Sequence, residues 1–241
     1  MTTMRANMIM TKIMTTKPRH LLRLQSWLSP AFPIGAFSYS HGLEYAVEAG
    51  LVHDRESLVD WLAADLRHGS GRNEAIFLAT ALRADDEQII EIAELAAASF
   101  GSSELALEGL SQGEAFLTTV RRAWPNAALE QRAGLLADQP TLAPTLAIAV
   151  AMTCRAYGID PMDTLHLFLQ AWSANLINAA VRLVPLGQTD GQLAQAALEE
   201  TVLATAEDAA MATLDDLGSA ALMVDWASMQ HESQYTRLFR S

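Results

Sequence analysis

Cysteine is nearly missing from this chain: Cys154 is the only one in 241 residues. A disulfide framework within the chain is therefore excluded, and a reducing compartment, the cytoplasm, is the expected location. Next to the apolar run 146–152, the Cys154 thiol reads as a buried structural group rather than a nucleophile. Cations are scarce as well. Sixteen Lys and Arg face 28 Asp and Glu, a net charge of −12, and the basic residues nowhere cluster. A phosphate-binding face needs such a cluster, so nucleic acid is not expected as a partner. The acidic residues read either as a solvated surface or as a face for a basic partner. Long apolar runs are also lacking. The longest, Leu142 to Cys154, contains Pro144 and stops at Arg155, too short to cross a bilayer. The first twenty residues carry Arg5, Lys12, Lys17 and Arg19, with no apolar run beyond Met8–Met10, so no secretory leader is expected.

The motifs that usually mark an enzyme are missing too. The sequence holds no HExxH, CxxC, Walker loop, GxGxxG or GxSxG. Its six histidines, at positions 20, 41, 53, 68, 166 and 231, show no i, i+4 pairing, so no compact metal site is expected. The carboxylate pairs Asp85-Asp86 and Asp215-Asp216 sit at predicted helix starts, where each charge is worth roughly 0.3–1 kcal/mol against the helix dipole. No catalytic residue is assigned.

What the chain has in abundance is alanine and leucine, within a hydrophobic fraction of 51%. Strand-forming residues are thin by comparison, and the expected class is all-α. The first nineteen residues, rich in Met and Thr and without periodicity, are expected to be a disordered tail. Five methionines among the first fourteen leave the translation start open. Residues 20–241 are expected to form a single compact bundle of about ten helices. The first begins at His20, with Leu21, Leu24 and Leu28 on one face and Trp27 beside them. A break at 29–35 follows, then a helix from an N-cap at Ser38 to Gly50. A third, capped by Asp54, carries Leu58, Trp61, Leu62 and Leu66 as an apolar stripe. Further helices are expected over 73–83, from Asp85 with a capping box to Gln88, over 103–123, 126–137, up to Tyr157, over 160–183, 190–212 and 218–229.

Three segments depart from this plain pattern. In the first, Pro33, Gly35, Phe37, Ser38, Tyr39, Gly42 and Glu44 join a rigid turn to a helix bearing two aromatics, hydroxyls and a carboxylate. A glycine inside a helix costs about 1 kcal/mol relative to Ala, and a close backbone contact at Gly42 would account for it. A core helix packed at a glycine is the plainer reading. In the second, Arg182 stands alone among small and apolar residues before Val184-Pro185-Leu186-Gly187-Gln188; it must pair or reach water. The third is the end of the chain, where His231, Glu232, Tyr235, Arg237, Leu238, Phe239 and Arg240 place aromatic, apolar and cationic side chains together. Such residues are favoured interface anchors. Leu238 and Phe239 would each contribute about 1.5–3 kcal/mol if buried in a partner, before ordering costs. A tail folded back on its own core is the other reading.

Together, the three segments resemble the UreF family of urease accessory proteins. Ser29–Glu44 is similar to the family pattern S-P-x-x-P-x-G-G-[FY]-S-[YW]-S-x-G-L-E, Arg182–Gln188 to [RK]-L-V-P-[LF]-G-Q, and His231–Ser241 to H-E-x-x-Y-[ST]-R-L-F-R-S. One departure is Ala36, where a second glycine is usual, which bears on the turn geometry there. The resemblance implies an all-α homodimer without a catalytic site or resident cofactor, nickel being handled by the complex. Its implied partners are UreD (also called UreH), the nickel-carrying GTPase UreG and urease apoprotein. It further implies that Tyr39, His231, Glu232, Tyr235, Arg237, Leu238, Phe239 and Arg240 serve the UreD surface, and that Glu44 and Arg182 couple to the GTPase. A scaffold that holds these partners is the leading expectation, and a regulator of GTP hydrolysis the alternative.

Overall fold

The computed structural model describes residues 17–139 and 142–241. Of the tail expected over residues 1–19, residues 1–16 lie outside the described part. Pro18 and Arg19 instead open the first helix, with proline at its first position, where a missing N–H costs nothing. Among the described residues there are twelve α-helices and two short 3₁₀ turns. The helices are α1 (Pro18–Trp27), α2 (Leu43–Glu48), α3 (Arg55–His68), α4 (Ser70–Arg83), α5 (Gln88–Ala98) and α6 (Ser103–Ala123). They continue with α7 (Ala127–Ala137), α8 (Leu146–Ala156), α9 (Pro161–Leu183), α10 (Gln188–Ala197), α11 (Glu199–Met211) and α12 (Leu222–His231).

Local chemistry explains most boundaries. At the start of α3, Asp54 Oδ1 accepts the Ser57 N–H at 2.8 Å while Ser57 Oγ accepts the Asp54 N–H at 3.1 Å. The Ser57 hydroxyl, donating to Asp54 Oδ1 at 2.7 Å, and then the Ser57 N–H hold the Asp54 carboxyl below its usual range. Asp85 and Gln88 exchange the same pair of bonds before α5. Ser102, Asn126 and Asp160 cap α6, α7 and α9.

Three expectations are corrected. The helix expected over 73–83 starts already at Ser70, after only a kink at Gly69. The long helix predicted over 190–212 is two, divided at the fully buried Leu198. Neither Gly nor Pro stands at that division, so nothing local announced it. The last helix begins at Leu222 rather than Gly218, because the preceding segment runs along α3, with the Ala220 N–H donated to His68 O at 2.8 Å.

Helix α4 is central, packed by α3, α5, α8, α9 and α11. Helix α8, with eight consecutive residues from Ala147 to Cys154 buried, lies between α4 and α6. Gly113 permits its close approach: a Cβ there would lie 2.0 Å from Pro144 O. One contiguous apolar core runs from Leu24 and Trp27 in α1 to Phe239 near the chain's end. Leu58, Leu62 and Leu66 of the predicted α3 stripe are buried in it, whereas Trp61 is only half-buried at its edge. Leu21, expected on the buried face of the first helix, is exposed.

Candidate functional site

The three unusual segments, far apart in sequence, meet at one edge of the bundle. The first arrives as a turn rather than as a helix. Residues Ala36–Ser38 form a 3₁₀ turn, Tyr39 and Ser40 are buried, and α2 begins only at Leu43. Ser38 is therefore not an N-cap, and Gly42 is not inside a helix but precedes it. Gly42 adopts φ of +75°, and a Cβ on it would sit 2.5 Å from the backbone nitrogen of Ser228 in α12. The close backbone contact expected at this glycine is present, and it comes from the helix that leads into the tail. Gly35 turns the chain with φ of +76°, Phe37 is thrust into solvent, and Pro33 is exposed.

The last residues lie against this turn and are held mainly through their backbone. Glu44, on the first turn of α2, accepts the N–H of Leu238 at 2.6 Å and that of Phe239 at 2.9 Å. Its Oε2 also lies 3.2 Å from His231 Nε2. The other ring nitrogen of His231, Nδ1, lies 2.6 Å from Glu104 of α6, which also pairs with Arg237 at 2.5 Å. Glu232 accepts the N–H and the hydroxyl of Ser103, both at 2.7 Å, at the N-terminus of α6, and these bonds keep its carboxyl below the usual range. Further along, the Arg240 N–H donates to Ser38 O at 2.8 Å, and the Ser40 N–H donates to Ser241 O at 2.9 Å. The Ser40 hydroxyl donates to the same carbonyl.

The middle segment completes the edge. Arg182, near the end of α9, donates to Phe37 O at 2.8 Å and stacks over the Phe239 ring, its guanidinium carbon 4.3 Å from the centroid. Arg240 lies 5.7 Å from the centroid of Tyr39.

The expectation that Leu238 and Phe239 both turn toward a partner divides here. Phe239 is 4% exposed and belongs to the chain's own core, and His231 is fully buried. Leu238 is 65% exposed and Tyr235 fully so. The tail thus folds back on its own core with its backbone fixed, while Tyr235, Leu238, Arg237 and Arg240 face outward.

Beneath the tail lies a polar cluster that no motif announced. Ser241 Oγ donates to Glu108 Oε2 at 2.7 Å; Glu108 Oε1 lies 2.9 Å from His41 Nε2 and accepts from Gln112 Nε2 at 2.8 Å. Asp65 accepts from Trp172 Nε1 at 3.0 Å and from Ser70 Oγ at 2.7 Å. Glu74 stands beside them in α4, 7% exposed. Burial pushes its carboxyl up to about 7, with nearby Glu108 and Asp65 adding to the rise and His41 opposing it. For His41, burial lowers the pKa but pairing with Glu108 outweighs it, and the value is raised. His41 Nδ1 is buried without a partner. Two cavities flank His41 and Trp172. One, of about 70 Å³, is lined mainly by Trp27, Phe32, Phe168 and Trp172; the other, of about 390 Å³, includes Glu74, Asn73, Phe100 and Asp225.

Sequence reasoning missed Glu104, Glu108 and Gln112. The signal was their spacing, a polar i, i+4, i+8 row along an otherwise apolar face of α6. Among the described residues no group of three or more His, Cys, Asp or Glu is arranged to hold a metal ion. What this constellation does chemically is bind a peptide segment of its own chain and present its outer face.

Comparison with known proteins follows the same lines. The UreF family model matches residues 52–199. The urease accessory protein UreF of Rhodopseudomonas palustris (strain HaA2) is 52% identical over 225 residues, covering 92% of this chain and 93% of that protein. The protein of the same name from R. palustris (strain BisB5) is 51% identical over 229 residues, covering 92% and 91%. That of Bradyrhizobium diazoefficiens is 48% identical over 225 residues, covering 92% and 91%.

Proposed function

Since the chain belongs to the UreF family of urease accessory proteins, we propose that it acts without catalysis of its own, as a scaffold for nickel insertion into urease. In this reading a homodimer in the cytoplasm holds UreD (UreH) and the GTPase UreG and docks with them on urease apoprotein. Nickel is cargo of the assembled complex rather than a resident cofactor of this chain.

One observation carries the reading: the tail's backbone is fixed by Glu44, Ser38 and Ser40 while Tyr235 and Leu238 stay in solvent. An exposed aromatic and an exposed leucine on a pre-ordered backbone bind with little further ordering cost, which is what an interface anchor needs. Glu44, His231, Phe239 and Arg182 then serve the UreD surface indirectly, by fixing the tail's position. Tyr39, buried under Arg240, does the same.

Co-purification with UreD, UreG and urease apoprotein tests this. Tyr235→Ala combined with Leu238→Ala is expected to lose UreD while circular dichroism and melting stay as in the parent chain. A doubly substituted chain that still recovered UreD and activated urease would overturn the reading.

A further inference from the structure

The hydrogen bonds that seat the last residues and the pair that anchors the buried cluster ride on one short loop. Ser38 and Ser40 hold Arg240 and Ser241, and His41, the next residue, meets Glu108. Glu108 in turn accepts from the Ser241 hydroxyl. The cluster's remaining acidic members stand on long helices: Asp65 on α3, Glu74 on α4 and Glu108 on α6. The loop is the pliable side. It has only a 3₁₀ turn behind it, and it passes through two left-handed residues, His41 at φ 55° and Gly42 at φ 75°.

We propose that His41, Glu74 and Glu108 form a protonation-controlled latch: when the cluster gives up a proton, the 38–42 loop shifts and residues 238–241 leave their groove, while the helical core stays folded.

The electrostatics support this direction. Glu74 holds its proton up to about neutral pH. When it lets go, a new buried charge appears beside Glu108 and Asp65, with His41 as the cation at hand. The other groups facing the cluster do not neutralise it. They are the Ala147 N–H at the start of α8, which bonds the Glu74 carboxyl and favours its charged form without cancelling the effect of burial, Gln112 from α6, Trp172 from α9, Asp225 from α12 across the larger cavity, and the Ser241 hydroxyl. Neither flanking cavity is lined by a lysine or an arginine. An uncompensated buried charge is relieved by letting water in, and the loop that carries His41 lies outside the helices and lines both flanking cavities. The tail has a second titratable anchor, His231 between Glu44 and Glu104, so the test must separate the two.

Amide hydrogen exchange of the isolated, full chain does so without any partner. Exchange is corrected for its intrinsic pH dependence and compared at about pH 6 and about pH 8.5. The amides of Leu238, Phe239 and Arg240 are expected to lose protection by about tenfold at the higher pH, nearly all of it between pH 6 and about 7, where the closed state still holds the Glu74 proton and the opened state has lost it. Amides of α6 and α8 should not follow. In Glu74→Gln, which keeps the shape but cannot ionise, the tail is expected to stay protected at both values. Tail protection that is flat in the parent chain overturns the proposal. So does a loss that persists unchanged in Glu74→Gln, which would take the Glu74 proton out of the release. Should the variant fail to fold, the parent chain still decides. The Glu74 carboxyl stretch, followed by infrared, must titrate together with tail release, and a separation of the two rules the latch out.

Discussion

The carboxylate of Glu44 accepts the backbone N–H of Phe239 at 2.9 Å, across 195 positions of sequence. The same carboxylate takes the Leu238 N–H and faces His231. Removing it strands two amide donors and an imidazole in a site where water is scarce. Glu44→Ala is therefore expected to lower stability by about 2–4 kcal/mol, as bonds to a charged group and their unpaired remnants suggest. Urea unfolding checks the value. In a chain cut before Tyr235 the two amides are gone, and the same substitution should cost at most about half as much. Equal costs in both backgrounds would deny the coupling.

Gly42 and Gly50 share a left-handed backbone, φ 75° and 73°, but differ in what surrounds them. A Cβ at Gly50 meets nothing within 4 Å, whereas one at Gly42 meets the Ser228 backbone at 2.5 Å. Gly50→Ala should cost about 1–2 kcal/mol, the strain of the conformation alone. Gly42→Ala adds a collision that pushes α12 outward, and is expected to cost at least about 2 kcal/mol more. Parallel thermal melts of the two variants separate strain from collision.

Two tryptophans offer a similar contrast. Trp27 is 1% exposed, edge-on to Trp124 at 5.9 Å and against Tyr157 at 5.3 Å. Trp61, which shares a helical stripe with three buried leucines, is only half-buried. Trp27→Ala is expected to cost about 3–5 kcal/mol. Trp61→Ala should cost about 1–2 kcal/mol, because less of the ring leaves an apolar surrounding. The indole nitrogen of Trp27 has no partner, so Trp27→Phe should recover most of the loss. Denaturant midpoints at unchanged slope would report all three.

The helices were legible because their signals are local. Asp54 with Ser57, Asp85 with Gln88, and Asp160 with Pro161 write helix starts into a few residues each. The division at Leu198 was not legible, since tertiary packing rather than a breaker residue sets it. The Ser38–Gly42 turn was misread for a related reason. A serine four residues before a glycine also fits a helix, whereas the structure has His41 and Gly42 left-handed, with Gly42 against the backbone of Ser228, encoded nearly two hundred residues away. Family patterns drew attention to Glu44, Arg182 and the tail. Periodicity could not show that these meet, nor that Glu74, Glu104 and Glu108 stand behind them. A buried carboxylate and a solvated one are spelled alike.

Glu74 sets a pH dependence whose sign is fixed. Its carboxyl, ordinarily at 4.5, is raised to about 7 in the folded chain, so the folded state binds the proton more tightly than the unfolded one. Stability must then fall as pH rises from about 4.5 to about 7 and stay level beyond, by at most about 3–4 kcal/mol at roughly 1.4 kcal/mol per pH unit. His41, also raised, acts in the same sense. Its pairing stabilises fully below the unfolded value of 6.5 and is lost as pH climbs through the folded one. The chain should therefore melt lower at alkaline than at mildly acidic pH. Glu74→Gln should melt above the parent chain at alkaline pH and show the shallower pH profile. A variant that melted below the parent at every pH would mean that the Glu74 charge is compensated.

Arg182 separates a scaffold from a regulator of GTP hydrolysis. An arginine that completes a partner's active site must have its guanidinium free to reach a phosphate. Here one nitrogen donates to Phe37 O, another to Asn178 O at 3.2 Å, and the group stacks on Phe239. It is tied to the turn and to the tail. Arg182→Ala is expected to loosen the tail and to weaken retention of UreD by about tenfold, equivalent to about 1.4 kcal/mol. Arg182→Lys should restore little, since an ammonium neither stacks on the ring nor reaches both carbonyls. In complexes assembled at saturating UreD, the GTP hydrolysis rate of UreG should match that with the parent chain within about twofold. A fall of about a hundredfold or more in that rate, with assembly intact, would instead place Arg182 in the GTPase site, and the tail geometry would not explain it.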